Sequence, residues 1–107
     1  MLSAGFDIYY KDPLGGMKVS PDGFGEMTRV LMDIANSCCG GKFVVTLEGG
    51  YHLAGIAESA KVVLNEMCGE TCVTEDELAK TAGDADSSID TIIGTVIGQI
   101  KPFWPVL

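Results

Sequence analysis

The stretch Ser3-Ala-Gly-Phe-Asp-Ile-Tyr-Tyr-Lys-Asp-Pro-Leu-Gly-Gly-Met17 indicates how this 107-residue chain folds. Small and apolar residues lead to a carboxylate at Asp7, and the pattern then breaks at Asp12-Pro13, with Gly15-Gly16 behind it. Proline and paired glycines are typical of turns, so we predict a short strand that ends in a loop.

In parallel α/β sheets, ligands and metals collect beyond the carboxyl ends of strands. Asp7 is therefore a candidate site residue. Position alone favours the alternative that it caps its own turn, as loop aspartates commonly do.

A helix and a second strand are predicted after this loop. Ser20-Pro21-Asp22 has the residue types of a helix N-terminus, and Gly40-Gly41 ends the helical pattern that follows. The run from Lys42 to Leu47 is rich in β-forming residues and does not alternate, which is typical of a parallel strand covered on both faces. A right-handed crossover would then bring the loop Glu48-Gly-Gly-Tyr51 to the same sheet edge as Asp7.

Further helices are predicted toward the C-terminus. Apolar residues from Leu53 to Met67 recur at helical spacing as far as Gly69, and the opposite, polar face carries Glu58, Lys61, Asn65 and Glu66. A capping-box pattern predicts a short helix over 74–80, and composition predicts a linker over 83–87. The last segment, 88–100, has helical spacing, although its β-branched residues leave a strand open. Its apolar positions are Ile89, Ile92, Ile93, Val96, Ile97 and Ile100.

Charge and composition argue against some classes of partner and indicate a cellular compartment. The formal net charge of −8 argues against nucleic acid as a direct partner. No apolar run reaches the roughly 18 residues of a membrane span, and the start lacks a secretory pattern, so we expect no membrane partner and a cytoplasmic protein. In that compartment the four cysteines are expected to be reduced thiols.

Two motifs resemble signatures of the histone deacetylase superfamily, especially its bacterial deacetylase and acetylpolyamine amidohydrolase members. The first is Ser3-Ala-Gly-Phe-Asp7 followed by Asp12-Pro-Leu-Gly-Gly-Met17, and the second is Leu47-Glu-Gly-Gly-Tyr-His-Leu53. Their order and separation are those of the family. The resemblance covers residues 1 to about 69 and the closing Lys101-Pro-Phe-Trp-Pro105, whereas residues 70–100 match no motif.

The resemblance implies an α/β fold class: a C-terminal fragment of the arginase/deacetylase-like parallel-sheet fold, with short parallel strands, flanking helices and a C-terminal helix. We expect a single domain over 1–107, composed of a partial deacetylase domain over about 1–69 and a C-terminal helical extension over about 70–107. A start at Met1-Leu2, inside what is a longer strand in the family, also suggests a fragment.

The activity implied by the resemblance is zinc-dependent hydrolysis of amides such as acetyl-lysine or acetylpolyamines. Zinc is held in the family by two aspartates and a histidine, and Asp7 matches the second aspartate. Such ligands with an open position leave zinc a strong Lewis acid. Tyr51 matches the tyrosine that stabilises the oxyanion. Gly49 and Gly50 match the backbone that shapes the acyl tunnel, and Leu14 matches a position at the tunnel mouth.

Much of the family's machinery has no counterpart in the sequence. The single histidine, His52, is not at a catalytic-histidine position, and the Asp-x-His pair and both proton-transfer histidines are missing. We therefore expect zinc only in a completed site, absent or weakly bound in this chain alone, and no activity from the isolated chain. The leading hypothesis is a partial deacetylase completed by a missing N-terminal half, which would act on an acylated amine. The alternative is a non-catalytic remnant that self-associates or binds a partner, and a homo-oligomer is expected.

Overall fold

The first strand, β1, covers Leu2–Gly5 and leads into the loop that carries the first motif. The computed structural model describes residues 1–71, 74, 76 and 88–104. It divides into two units, Met1–Thr74 and Glu75–Leu107, which are described separately. The first unit contains β1, the helix α1 (Pro21–Cys39), the strand β2 (Val45–Gly49) and the helix α2 (Leu53–Met67). This order is the strand-helix-strand-helix alternation that the sequence predicts.

Within the described residues, β1 and β2 form a two-stranded parallel sheet. Leu2 lies opposite Val45, and an irregularity after Ala4 brings Gly5 opposite Gly49. The predicted parallel α/β architecture is confirmed. Both predicted boundaries of β2 were wrong, because the strand begins at Val45 rather than at Lys42, and Glu48 and Gly49 belong to the strand rather than to the loop. The ladder continues that far because the Gly49 carbonyl accepts a hydrogen bond from the Phe6 amide at 2.8 Å.

The helix α1 begins and ends where its capping residues predict. The Ser20 hydroxyl accepts a hydrogen bond from the Gly23 amide at 3.2 Å, and Pro21 occupies the first helical position, where its missing N–H costs nothing. At the other end, Gly40 has a φ of 63°, a left-handed conformation that glycine adopts without strain.

The core lies between the sheet and the two helices, and it includes a residue from the first loop. Tyr9 is buried together with Phe6, Phe24 and Val63, and the rings of Phe6 and Phe24 are 5.1 Å apart. The helices α1 and α2 pack against each other, and each of them buries small residues. These small residues are Gly25, Thr28, Gly55 and Ser59.

The predicted polar face of α2 was wrong at Glu66. Its side chain is only 4% exposed, and its carboxylate faces the Arg29 guanidinium on α1, with Nη2 3.3 Å and Nε 3.4 Å from the carboxylate oxygens. The hydrogen bond to Glu66 raises the pKa of Arg29 above its ordinary value. A glutamate can be buried at this position because the cation on α1 compensates its charge.

Some apolar positions are more exposed than their pattern predicts. Leu53 and Leu64 on α2 are exposed, and so is Leu47 on β2, which was expected to be covered on both faces. An apolar pattern marks the face that can be buried, but it does not show which neighbour covers that face.

The second unit contains the helix α3 (Ser88–Ile100), so the helical prediction is confirmed over the strand alternative. Its isoleucines and Val96 are exposed. The helix predicted over 74–80 falls mostly outside the described residues, and the linker over 83–87 falls entirely outside them. No helix in the described ranges is both long and apolar enough to cross a membrane.

Candidate functional site

The two motif loops leave the sheet at the same edge. Asp7 follows β1 and Tyr51 follows β2, and the strands are parallel, so both loops start from carboxyl ends. The Asp7 carboxylate lies beside both strand ends. A Cβ added to Gly5 would be 2.7 Å from its Oδ1, and one added to Gly49 would be 3.6 Å from its Cγ. Glycine at these two positions leaves room for the carboxylate.

Asp7 does not perform the turn-capping role that its position alone suggested. Within the described part of the chain, its carboxylate makes no hydrogen bond to another residue. The turn is capped by Asp12 instead, whose Oδ1 accepts hydrogen bonds from the amides of Leu14 at 2.9 Å and Gly15 at 3.1 Å. The Asp7 carboxylate is therefore not committed to the local turn.

Asp12 also contacts the second loop. Its Oδ2 accepts hydrogen bonds from the amides of Tyr51 at 2.8 Å and His52 at 3.2 Å. Burial opposes ionisation of this carboxyl, but the backbone N–H donors outweigh burial and hold the pKa of Asp12 below its ordinary value. Sequence reasoning missed this residue. The Asp-Pro-x-Gly pattern could have indicated the turn cap, but nothing local indicates a contact 39 residues away.

Tyr51 presents its phenol to solvent. The residue is 60% exposed, and its hydroxyl has no hydrogen-bond partner among the residues that the structure describes. A half-buried tyrosine with a satisfied hydroxyl, the ordinary alternative for an isolated tyrosine, is therefore not what is observed. Leu14, on the opposite loop, is 70% exposed.

Gly50 connects β2 to Tyr51 in a conformation that requires glycine. Its φ is 131°, which residues with a side chain rarely adopt. An added Cβ would also lie 2.8 Å from Ile56 Cγ1 and 3.0 Å from Phe6 Cβ. The chain therefore turns sharply here, while the backbone stays packed on the core.

His52 caps a helix. Its Nδ1 accepts a hydrogen bond from the Gly55 amide at 2.9 Å, which places it at the N-cap of α2. The ring centroid lies 5.3 Å from that of Tyr9. Since Nδ1 is already an acceptor for the backbone, His52 has a structural role at the base of the Tyr51 loop.

Tyr9 attaches the first loop to α2. Its hydroxyl donates a hydrogen bond to Glu58 at 3.1 Å, and its ring contacts those of Tyr10 and His52. Interaction with Tyr10, burial and the Glu58 carboxylate together raise the pKa of the Tyr9 phenol, so it remains protonated and acts as a donor.

In the described part of the chain, Asp7 lacks the further ligands that a zinc site needs. Among the described residues, no three His, Cys, Asp or Glu side chains are grouped closely enough to hold a metal ion. Catalytic zinc commonly takes three protein ligands and leaves one position open. The donor set described for this chain therefore does not by itself fit a zinc ion.

Comparison with known proteins identifies the family. The model of the histone deacetylase domain matches residues 1–67. This chain belongs to the histone deacetylase family. Histone deacetylase 15 of Arabidopsis thaliana is 39% identical over 107 residues, which is 100% of this chain and 18% of that protein. Polyamine deacetylase HDAC10 of Homo sapiens is also 39% identical, over 100% of this chain and 15% of that protein. The similarity thus extends over residues 70–100, where no motif was recognised.

The solved structures agree with this assignment. The crystal structure of the HDA15 HD domain matches with a TM-score of 0.70 and 36% identity, over 97% of this chain and 25% of that chain. The structure of the histone deacetylase Clr3 has the same fold, with a TM-score of 0.57 and 23% identity. The chain therefore corresponds to about a quarter of a solved deacetylase domain and less than a fifth of the curated relatives named here.

Proposed function

We propose that this chain carries one part of a zinc-dependent amide-hydrolase site of the histone deacetylase type. In this proposal Asp7 is one zinc ligand and Tyr51 is the donor that stabilises the oxyanion. Leu14, Gly49 and Gly50 line the passage for the acyl group. The observation that supports it most is the position of the two loops, since both leave the same edge of a parallel sheet.

The exposed phenol of Tyr51 is available to donate a hydrogen bond. A phenol donates a hydrogen bond without carrying charge at neutral pH, so it can stabilise a carbonyl oxygen on which negative charge develops. Zinc, when bound by a complete ligand set, supplies Lewis acidity. Among the described residues, no three His, Cys, Asp or Glu side chains are grouped to hold a metal ion, so the proposal includes that the isolated chain is inactive.

The proposed substrate is an acylated amine. Related proteins are named both as histone deacetylases and as a polyamine deacetylase, so acetyl-lysine peptides and acetylpolyamines are the two classes to compare. The proposal covers both classes.

A domain chimera tests the proposal. This chain replaces the matching segment of the Arabidopsis histone deacetylase 15 domain, and zinc content and deacetylation are measured for the chimera and for the isolated chain. We expect zinc and activity in the chimera only. Tyr51→Phe should lower kcat by about 10²- to 10³-fold, as loss of an oxyanion donor does.

Matched variants distinguish an effect on the proposed site from a general loss of structure. Tyr10→Phe removes the hydroxyl of another exposed tyrosine and should leave kcat unchanged. Asp7→Asn should lower both zinc content and activity. Stoichiometric zinc and turnover in the isolated chain would contradict the claim that its site is incomplete, and full activity of Tyr51→Phe would contradict the role of the phenol.

The second candidate function is a non-catalytic module that self-associates or binds a partner protein. It is favoured by the exposed apolar side chains of α3, among them Ile89, Ile92 and Ile93, since contiguous apolar surface commonly marks an interaction site. Size-exclusion chromatography with light scattering at micromolar concentration tests self-association. A monomer would count against a homo-oligomer.

A further inference from the structure

The Asp12 carboxylate bridges two loops that are distant in sequence. One oxygen accepts the amides of Leu14 and Gly15, and the other accepts those of Tyr51 and His52. Each carboxylate oxygen has two lone pairs, so these bonds use its acceptor capacity fully. Hydrogen bonds to an ionised acceptor are stronger than those between neutral groups, which makes this bridge rigid.

The two sides of the bridge end at the two proposed site residues. On one side, Gly15 packs on the backbone of Asp7 so closely that an added Cβ would overlap the Asp7 carbonyl oxygen. On the other side, the bridge holds the amide of Tyr51 itself. One side chain therefore joins the backbone of Tyr51 to the turn that lies against Asp7.

Strand pairing in the sheet does not hold Tyr51 in position. The ladder ends at Gly49, whose carbonyl bonds to the Phe6 amide, and the chain then turns at Gly50 with a φ of 131°. The next two amides, those of Tyr51 and His52, bond to Asp12 instead of to a strand. The position of Tyr51 therefore depends on Asp12 rather than on strand pairing.

We infer that Asp12 is a positioning residue, which sets the backbone of Tyr51 at a fixed distance from Asp7. The inference rests on the proposed function for the role of Tyr51 in the reaction. Asp12 belongs to the first loop, and it acts on the reaction through the geometry of the phenol.

The substitution Asp12→Asn tests the bridge at nearly constant size. Asparagine has one acceptor oxygen and an amide group that only donates. It can cap its own turn or hold the Tyr51 loop, but not both. Asp22→Asn is the matched control, because it removes the same charge from the first turn of α1. Asp12→Glu keeps both acceptor oxygens on a longer side chain.

The first measurement is amide hydrogen exchange in the 107-residue chain, which needs neither zinc nor substrate. Asp12→Asn should accelerate exchange at Tyr51 and His52 by about tenfold or more relative to the amide of Val63 in α2. Asp22→Asn should leave that ratio unchanged. If exchange at Val63 rises by the same factor, Asp12 contributes only to global stability and the inference is overturned. Unchanged exchange at Tyr51 and His52 also overturns it.

The second measurement separates kcat from KM in the domain chimera. Asp12→Asn should lower kcat by about 10- to 100-fold with KM nearly unchanged. A displaced Tyr51 phenol stabilises the transition state less, while substrate binding depends little on it. Asp12→Glu should recover part of the loss. If Tyr51→Phe lowers kcat but Asp12→Asn does not, the inference alone fails. If Tyr51→Phe retains full activity, the proposed function fails, and the inference fails with it.

Discussion

Gly55 lies against the ring of Tyr9 in the first turn of α2, and Gly55→Ala is expected to destabilise the protein. A Cβ at this position would lie 2.6 Å from Tyr9 Cε1 and 2.9 Å from Cγ, well inside van der Waals contact. The ring has little room to move. It is 2% exposed, and its hydroxyl is bonded to Glu58.

Two opposing terms determine the size of the effect. Overpacking a core site costs about 1–3 kcal/mol. Replacing a helical glycine by alanine recovers about 0.5–1 kcal/mol through helix propensity. The net loss is therefore up to about 2.5 kcal/mol, and each kcal/mol lowers the Tm of a domain of this size by about 4–8 °C.

The assay is urea and thermal unfolding followed by circular dichroism, with two comparison variants. Gly94→Ala lies on α3, where an added Cβ meets nothing within 4 Å, so it should not lower stability. Tyr9→Leu removes the ring. On that background, Gly55→Ala should become neutral or stabilising, because only the propensity term remains.

The decisive result is whether Gly55→Ala, which should destabilise the wild type, becomes neutral or stabilising in the Tyr9→Leu protein. If Gly55→Ala destabilises the Tyr9→Leu protein as much as the wild type, the ring contact is not the cause of the loss. The close packing of α2 on the first loop would then be refuted as the explanation.

Three further outcomes are expected. Arg29→Met removes the charged donor from the buried Glu66 carboxylate and should lower the free energy of unfolding by about 1.5–3 kcal/mol. In denaturant titrations, the double variant with Glu66→Leu should recover most of this loss. A double variant no more stable than the single one would contradict this. The pKa of Asp12 is held below its ordinary 3.8, so its stabilisation is present above about pH 4 and is lost as pH falls through the lower folded-state pKa. Unfolding midpoints of the wild type should therefore fall more steeply over that acidic range than those of Asp12→Asn, and parallel curves would refute the expectation. Ser20→Ala removes the acceptor for the Gly23 amide and should cost about 1 kcal/mol by thermal unfolding, whereas Ser20→Asp, which keeps an acceptor, should not; equal losses would argue against capping.

Local patterns in the sequence predicted much of the fold. Ser20, Pro21 and Gly40 define the ends of α1 through bonds to neighbours a few residues away, so their effect is visible in the sequence. The spacing of apolar residues predicted α2 and α3, and the non-alternating run from Lys42 to Leu47 predicted a parallel strand. The motifs around Asp7 and Tyr51 indicated the family, and their roles in chemistry stay predictions.

The amino-acid pattern thus indicated which segments are helix or strand, because those properties depend on neighbours along the chain, and the handedness of the crossover then indicated which loops share a sheet edge. Tertiary structure decided the burial of Glu66, the place of Tyr9 in the core and the bridge made by Asp12. Glu66 meets its cation 37 residues away, and Asp12 meets the Tyr51 amide 39 residues away. Such partners come together only when separate elements pack, and no pattern within either segment specifies the other.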